Sequence, residues 1–453
     1  MTTTPSAALA GFVATLQFDQ LPPAVVRQSK LFLLDALGCA LGAYKEDARK
    51  AGIAGALARQ FGGGDASVIG GGRAHPAAAA LANGMLINAA DNDDTHKRAL
   101  LHIGSVVVPA ALAATEARGG NGRDLIAALV AGYEVAARVG MAVMPSHYRF
   151  WHSTATNGTF GAAAAAARAY GLDADGACTA LGFAGTQAAG LNTFFESGDD
   201  SKSVHPGKAA MNGILGATLA ELGASSPPDV LGHPKGYLAA YSLEPKPEAL
   251  TAGLGRDWEI LQNGFKFYPS ILASHSPIGA TLEIVGRQPL DPARITAVEV
   301  RTYATVKSHF SSKDVQKSMA ARLSVPYCVA AALVDREITQ KQFAPERYND
   351  PAIRALLQKV EIVVDPELSR LYPEKFPARV IVTMDDGARH EATFLYPKGD
   401  PNNPLSEQEL LAKFHGNLRG VFDEARTTRL AALVGDLENI QLAELSACLV
   451  KEN

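Results

Sequence analysis

The stretch Asp-Asn-Asp-Asp-Thr-His-Lys-Arg-Ala-Leu-Leu-His-Ile-Gly-Ser, residues Asp91 to Ser105, sets three carboxylates, two imidazoles and two fixed cations into fifteen positions of a chain otherwise rich in Ala, Leu and Val. Upstream, Pro76 suits the first turn of a helix, where its missing N–H costs nothing, and apolar spacing continues through Leu81 and Met85 to Asn88. Carried on, that helix places Asp91 and Thr95 on one face. Downstream, Ala99 to Thr115 holds no Lys, Arg, Asp or Glu but includes His102, Gly104, Ser105 and Pro109, a pattern for a buried helix rather than a bilayer span. Titratable groups between apolar helices are candidates for general acid/base chemistry, because burial and close charges move a pKa toward working pH.

Outward from this stretch, helical signals dominate up to about residue 265. Apolar residues recur at three- and four-residue spacing from Pro22 to Leu41, before Gly42. Leu125 to Val139 and Gly158 to Tyr170 are rich in Ala and Gly, which allows helices to approach closely, and Glu134 with Arg138 forms an i,i+4 pair in the better order. From Phe267 the texture changes. Ile295 to Tyr303, Val360 to Asp365 and Arg379 to Met384 are short β-branched runs, and Asp386-Gly387 marks a hairpin turn. After Pro397 helix returns, with Ser406 and Glu409 as a capping box and Leu405 with Leu410 as its staple. The pattern predicts a helical domain at 1–266 and 400–453 around a mixed α and β domain at 267–399.

At 453 residues the chain exceeds one core's comfortable size, and 47 % hydrophobic with 19 % charged residues describes an ordinary globular enzyme. A net charge of −4 gives no general attraction to nucleic acid or an anionic membrane, and neither partner is expected. Met1 to Leu21 has no basic leader region and contains Asp19, so a cytoplasmic location is expected. Cys39, Cys178, Cys328 and Cys448 lie far apart, which argues against a zinc cluster and a disulfide framework. Gly62-Gly63-Gly64 and Gly70-Gly71-Gly72 lack the spacing of a phosphate-binding loop. No cofactor, no metal and no covalent intermediate are expected.

Several motifs follow one another along the chain. They are Asn83-Gly84 leading to Asp91-x-Asp93-Asp94-Thr95 and His102-x-Gly104-Ser105; Trp151-His152 before Gly158-Thr159-Phe160-Gly161; Lys202-x-x-His205-x-Gly207; and Lys266-x-Tyr268-Pro269 before His275. Ser324-x-Pro326-Tyr327 and the run from Gly399-Asp400-Pro401 to Pro404-Leu405-Ser406 add to them. On this ordered set the chain resembles the MmgE/PrpD family over nearly its whole length. The resemblance implies a mostly α fold, in which a large all-helical domain formed by both chain ends carries a smaller inserted α+β lid domain. It also implies a homodimer with the site in the cleft. Members act without a cofactor on small di- and tricarboxylic acids, by 2-methylcitrate dehydration, cis-aconitate decarboxylation or iminodisuccinate epimerisation. Each reaction moves a proton at carbon beside a carboxylate, which needs a base and fixed donors for the enolate-like charge.

By motif position, Asp91, Thr95, His102, His152, Lys202, His275 and Tyr327 match the residues with which the family lines its site. The resemblance implies that His102 and His275 exchange protons with substrate, Lys202 holds a carboxylate, Asp91 orients an imidazole and Tyr327 donates to an oxygen. Thr95, His152, His205, Arg98 and Lys266 are expected to bind substrate. Blander readings stand beside these: His205 positioning its loop, His96 ending a helix, Lys97-Arg98 a solvated turn, Asp93 and Asp94 satisfying helix donors or pairing with Arg98, and Tyr327 a packed aromatic.

The chain also departs from the family. Dehydratase members usually continue from the aspartate motif with Gly-His-Pro-Ser, whereas here Leu100-Leu101 precede His102 and Ile103-Gly104-Ser105 follow. Asn88 and Asn92 replace residues that are commonly His and aromatic or aliphatic, and Lys97-Arg98 adds two cations that favour a polyanionic substrate. Two other classes remain. An aspartate-rich helix can bind Mg²⁺ and a diphosphate, as in metal-dependent helical diphosphate synthases, but no second acidic ligand helix is evident and the interleaved His and Lys oppose a cation. A non-catalytic dimeric scaffold of the same fold would not need every site-type residue present here.

Overall fold

The computed structural model describes residues 4–450, and along them the apolar periodicities become helices, most of them in the first of two units. That unit comprises, among the described residues, 4–193, 200–263 and 407–450; the second comprises 194–199 and 264–406. The chain thus leaves the helical unit after Asn263 and rejoins it at Glu407, and the short segment Phe194–Asp199 groups with the second unit.

In the first unit, helix Pro23–Glu46 runs past Gly42, where the sequence predicts its end. Gly42 and Gly38 are packing positions instead. A Cβ on Gly38 would lie 2.9 Å from Phe414 Cδ2, and one on Gly42 3.3 Å from Asn417 Cβ, so the two glycines let helix Glu407–Leu418 lie close against this one. Helices Gly104–Ala117, Gly122–Val143, Ser153–Ala169 and Ser201–Glu221 form the core. The Ala- and Gly-rich segments do approach closely: a Cβ on Gly132 would lie 2.9 Å from the Gly161 carbonyl oxygen. Gly122–Val143 is long and apolar enough to cross a membrane, yet 94 % of its apolar window is buried inside the protein, as in a core helix. The Glu134–Arg138 pair forms within it at 3.3 Å, fully buried, and Arg138 also donates to the carbonyls of Ala252 and Asp257 at 2.6 and 2.8 Å. A two-stranded ribbon, Ala66–Ser67 against Arg73–Ala74, is the small β element of this unit.

Helix Pro76–Asn88 begins at Pro76 as expected but stops at Asn88. Asp91 takes φ +52° and Leu100 φ +47°, so the chain from 89 to 103 is a loop, pinched by reciprocal backbone bonds between His96 and Leu101. Asp91 and Thr95 therefore do not share a helical face, and helix resumes at Gly104 rather than near Ala99. The physical reason lies in the Asp-Asn-Asp-Asp run, whose short polar side chains compete for backbone groups and tolerate the left-handed region.

The same helix crosses Ser201–Glu221 with backbones in contact. A Cβ on Gly84 would sit 2.6 Å from Gly207 Cα, and one on Gly207 2.1 Å from the Leu81 carbonyl oxygen. Gly207→Ala should therefore force the helices apart, lowering stability by about 1–3 kcal/mol or more. Urea titration checks this; an unchanged midpoint would contradict the crossing.

The second unit holds a four-stranded sheet in the order Val360–Val364, Ile295–Thr302, Ala378–Met384, Arg389–Phe394. The first pair is parallel, with Val298 opposite Val360, and the others are antiparallel, with Val300 opposite Val380 and Val380 opposite Ala392. Gly387, at φ +84°, completes the expected hairpin turn. Helices His275–Arg287 and Val325–Asp335 pack on this sheet and on each other.

Candidate active site

Three segments of the first unit meet around His102: the 89–103 loop, the start of helix Ser201–Glu221, and the Thr154 turn at the start of helix Ser153–Ala169. The His102 ring places Nδ1 3.0 Å from the Asp94 carbonyl oxygen, 3.2 Å from Thr95 Oγ1 and 3.5 Å from Asp93 Oδ2. A carbonyl oxygen only accepts, so Nδ1 carries the proton and, in the neutral ring, Nε2 holds the lone pair. Nε2 lies 3.7 Å from Asp91 Oδ1, and that oxygen accepts from Lys202 Nζ at 2.7 Å. The ion pair is buried, with both side chains 2 % exposed or less. The His102 backbone N–H donates to Thr154 Oγ1 at 3.2 Å.

The loop is held from every side. Asn88 Nδ2 donates to both Asp93 oxygens at 2.9 and 3.0 Å. Beneath it, Lys413 bridges Asp35 Oδ1 and the Asn92 carbonyl, each at 2.7 Å, so helix Glu407–Leu418 braces the aspartate run. Burial raises the Asp35 pKa while Lys413 pulls it back. Asp94 accepts from Gly104 N–H at 2.8 Å, Tyr133 hydroxyl at 2.6 Å and Asn263 Nδ2 at 2.7 Å, and burial pushes its pKa up to about 7. Asp94 thus satisfies a donor at a helix start, one of its blander readings.

His96, fully buried, accepts from the Ala99 N–H through Nδ1 at 3.2 Å, which leaves Nε2 to donate to Glu259 at 3.2 Å. Arg98 pairs with the same Glu259 oxygen rather than with Asp93 or Asp94. Its neighbour Lys97 is buried, while the Arg98 side chain is 36 % exposed, so the solvated-turn reading holds for Arg98 alone.

His152 precedes helix Ser153–Ala169, and its Nδ1 lies 2.9 Å from His205 Nδ1, a spacing that requires one proton between the two rings. Burial, then the charges of His205, Lys202 and His102, hold the His152 pKa well below its ordinary value. Nearby, His147 bonds Thr156 Oγ1 at 2.8 Å and the Tyr241 carbonyl at 3.0 Å, and burial lowers its pKa to about 4.

These neutral imidazoles set a pH dependence. Between about 6.5, the unfolded value, and the lowered folded value, the unfolded chain binds protons that the folded one refuses. Stability is therefore lost as pH falls from about 6.5 toward 4. His147→Gln should remove one such contribution, so the urea midpoints of wild type and variant should differ more at pH 7.5 than at pH 5. An equal difference at both would contradict it.

Asp91, Asp93 and His102 offer ligand atoms within 4.8 Å of one another, the spacing of a metal site. The donor set does not suit a cation: the Lys202 ammonium already sits on Asp91, and the His102 nitrogen facing Asp93 is the protonated one. This weighs against the Mg²⁺-diphosphate reading as well.

Of the residues singled out in the sequence, the first unit brings Asp91, Thr95, His102 and Lys202 together, with the His152–His205 pair acting on them electrostatically. Lys266, His275 and Tyr327 belong to the second unit, and each is fully buried in the protein. His275 opens helix His275–Arg287, with Nε2 3.3 Å from the Ser270 carbonyl and its ring edge-on to Tyr268 at 5.2 Å. The Tyr327 hydroxyl donates to the Gln342 carbonyl and its ring packs near Phe343, which is the packed-aromatic geometry. Sequence reasoning missed Tyr133, Asn263, Thr154 and Lys413. Asp35, missed as well, is the one that carried a visible signal, a lone carboxylate in Leu-Phe-Leu-Leu-Asp-Ala-Leu.

Residues 7–250 match the MmgE/PrpD N-terminal domain and residues 268–439 the MmgE/PrpD C-terminal domain. The chain is 31 % identical to the cis-aconitate decarboxylase-like protein oryM of Aspergillus oryzae, over 99 % of this chain and 97 % of that protein. It is 29 % identical to a cis-aconitate decarboxylase of Aspergillus terreus, over 97 % and 95 % of the two chains. Similarity to the mitochondrial 2-methylcitrate dehydratase of Yarrowia lipolytica, at 29 %, covers 35 % of this chain and 32 % of that one.

Proposed function

Since the chain belongs to the MmgE/PrpD family, we propose that it is a lyase acting on a small tricarboxylic acid, with decarboxylation of cis-aconitate as its reaction. Support for decarboxylation over dehydration comes from coverage: the full-length relatives carry the decarboxylase name, while the similarities to dehydratases span about a third to a half of the chain.

The observation that carries the reading is the His102 tautomer, with Nε2 as the basic nitrogen beside the Asp91–Lys202 pair. Loss of CO₂ leaves a carbanion that must take a proton at carbon; loss of water begins with a proton leaving carbon. His102 Nε2 serves either direction, and Asp91 favours the imidazolium formed when it is protonated. Lys202 has three N–H donors, one spent on Asp91, so its ammonium is suited to hold a substrate carboxylate as well. The reaction so described uses no metal and no cofactor. Thr95, His152, His205, Lys266 and His275 keep their substrate or proton-transfer roles on family position, and the homodimer belongs to the same proposal. Arg98 and Tyr327 are engaged with Glu259 and Gln342, and no step is assigned to them.

The test is incubation in D₂O with cis-aconitate, citrate, 2-methylcitrate and aspartate-derived acids, followed by NMR. A decarboxylated product carrying deuterium on carbon supports the proposal. Alkene formation from citrate or 2-methylcitrate alone would replace decarboxylation by dehydration, and inversion with exchange by epimerisation. No turnover of any acid would favour the scaffold.

A further inference from the structure

We propose that Asp94 is the positioning residue for His102, fixing the ring's tautomer and direction by holding both ends of the loop that carries it. The inference rests on the reading of His102 as the proton-transfer group and names what makes that group competent. Asp94 meets the imidazole only through its backbone: its carbonyl oxygen, 3.0 Å from Nδ1, demands a proton on that nitrogen. A carbonyl can impose a tautomer only if it is itself immobile, and the Asp94 side chain supplies the immobility. Oδ1 accepts from the Gly104 N–H at 2.8 Å, two residues beyond His102, which closes the 94–104 loop on itself. Oδ2 accepts from Tyr133 and Asn263 at 2.6 and 2.7 Å.

These anchors are rigid. Tyr133 lies mid-way along the buried helix Gly122–Val143, its ring stacked on Phe32 at 5.3 Å. Gly104 leaves room for the junction, because a Cβ there would lie 2.9 Å from both Asp94 Oδ2 and the Tyr133 hydroxyl oxygen. Asp94 is itself buried, and its accepted bonds all come from protein groups, so its side chain acts on the reaction through His102. Asp93, the other carboxylate near Nδ1, acts in the same direction from 3.5 Å and is held by Asn88.

The experiment combines kinetics with ¹⁵N NMR of ring-labelled histidine, the His102 signals being those that vanish in His102→Asn. In the wild type Nδ1 should be protonated and Nε2 not. In Asp94→Asn the second tautomer should appear, and kcat should fall by about 10–100-fold with little change in KM, the size expected of an outer partner that orients a reacting group. Tyr133→Phe, which removes one anchor, should shift both readouts in the same direction by less and keeps the test available should Asp94→Asn fail to fold. An unchanged tautomer together with a kcat within about twofold of wild type, in either variant that folds, overturns the assignment. If the wild type turns over no acid at all, the proposed function fails while the tautomer signals still decide the role of Asp94.

Discussion

His102→Asn should lower kcat by about 10²–10⁴-fold, the range typical of a positioned general acid or base. The asparagine amide can donate to the Asp94 carbonyl as Nδ1–H does, so the loop keeps its anchor. What disappears is Nε2, the nitrogen 3.7 Å from Asp91. Such a variant should be folded and as stable as the wild type to within about 1–2 kcal/mol, since only one hydrogen-bonded ring is exchanged for another polar group. Turnover within about threefold of wild type would remove His102 from the chemistry.

Lys202→Met should have the largest effect on the fold itself. It leaves the fully buried Asp91 carboxylate without the ammonium 2.7 Å away, and breaking a buried pair from one side costs about 3–5 kcal/mol. Activity should be lost as well, because the group proposed to hold a substrate carboxylate is gone. Adding Asp91→Asn should restore most of the stability, since the uncompensated charge is removed, and none of the activity. Urea denaturation of the two single variants and the double variant checks this. Equal stability of Lys202→Met and wild type, or no recovery in the double variant, would contradict the paired geometry.

Legibility in the sequence followed the physics of each signal. Long apolar periodicities such as Leu125 to Val139 are dominated by burial, and the helix Gly122–Val143 appeared where they lay, with its Glu134–Arg138 pair. The β-branched runs became strands for the same reason, within a residue or two. The Asp91–Ser105 stretch was legible in composition and misread in shape. Periodicity carried a helix across Asp91, but the left-handed turn there depends on competition between polar side chains and backbone that spacing does not reveal. Gly42 looked like a helix end and is instead a contact with Asn417, almost four hundred residues on, a role set by a partner no local window contains. Tyr133 and Asn263 were invisible for the same reason: each reads as an ordinary helical or loop residue until Asp94 is brought to it.

The central claim is that His102 Nε2 moves a proton at substrate carbon. Deuterium incorporation from D₂O, measured side by side for wild type and His102→Asn with cis-aconitate, tests it most directly. The wild type should give a decarboxylated product labelled at carbon, and the variant next to none. Equal rates of labelled product from both proteins would contradict it.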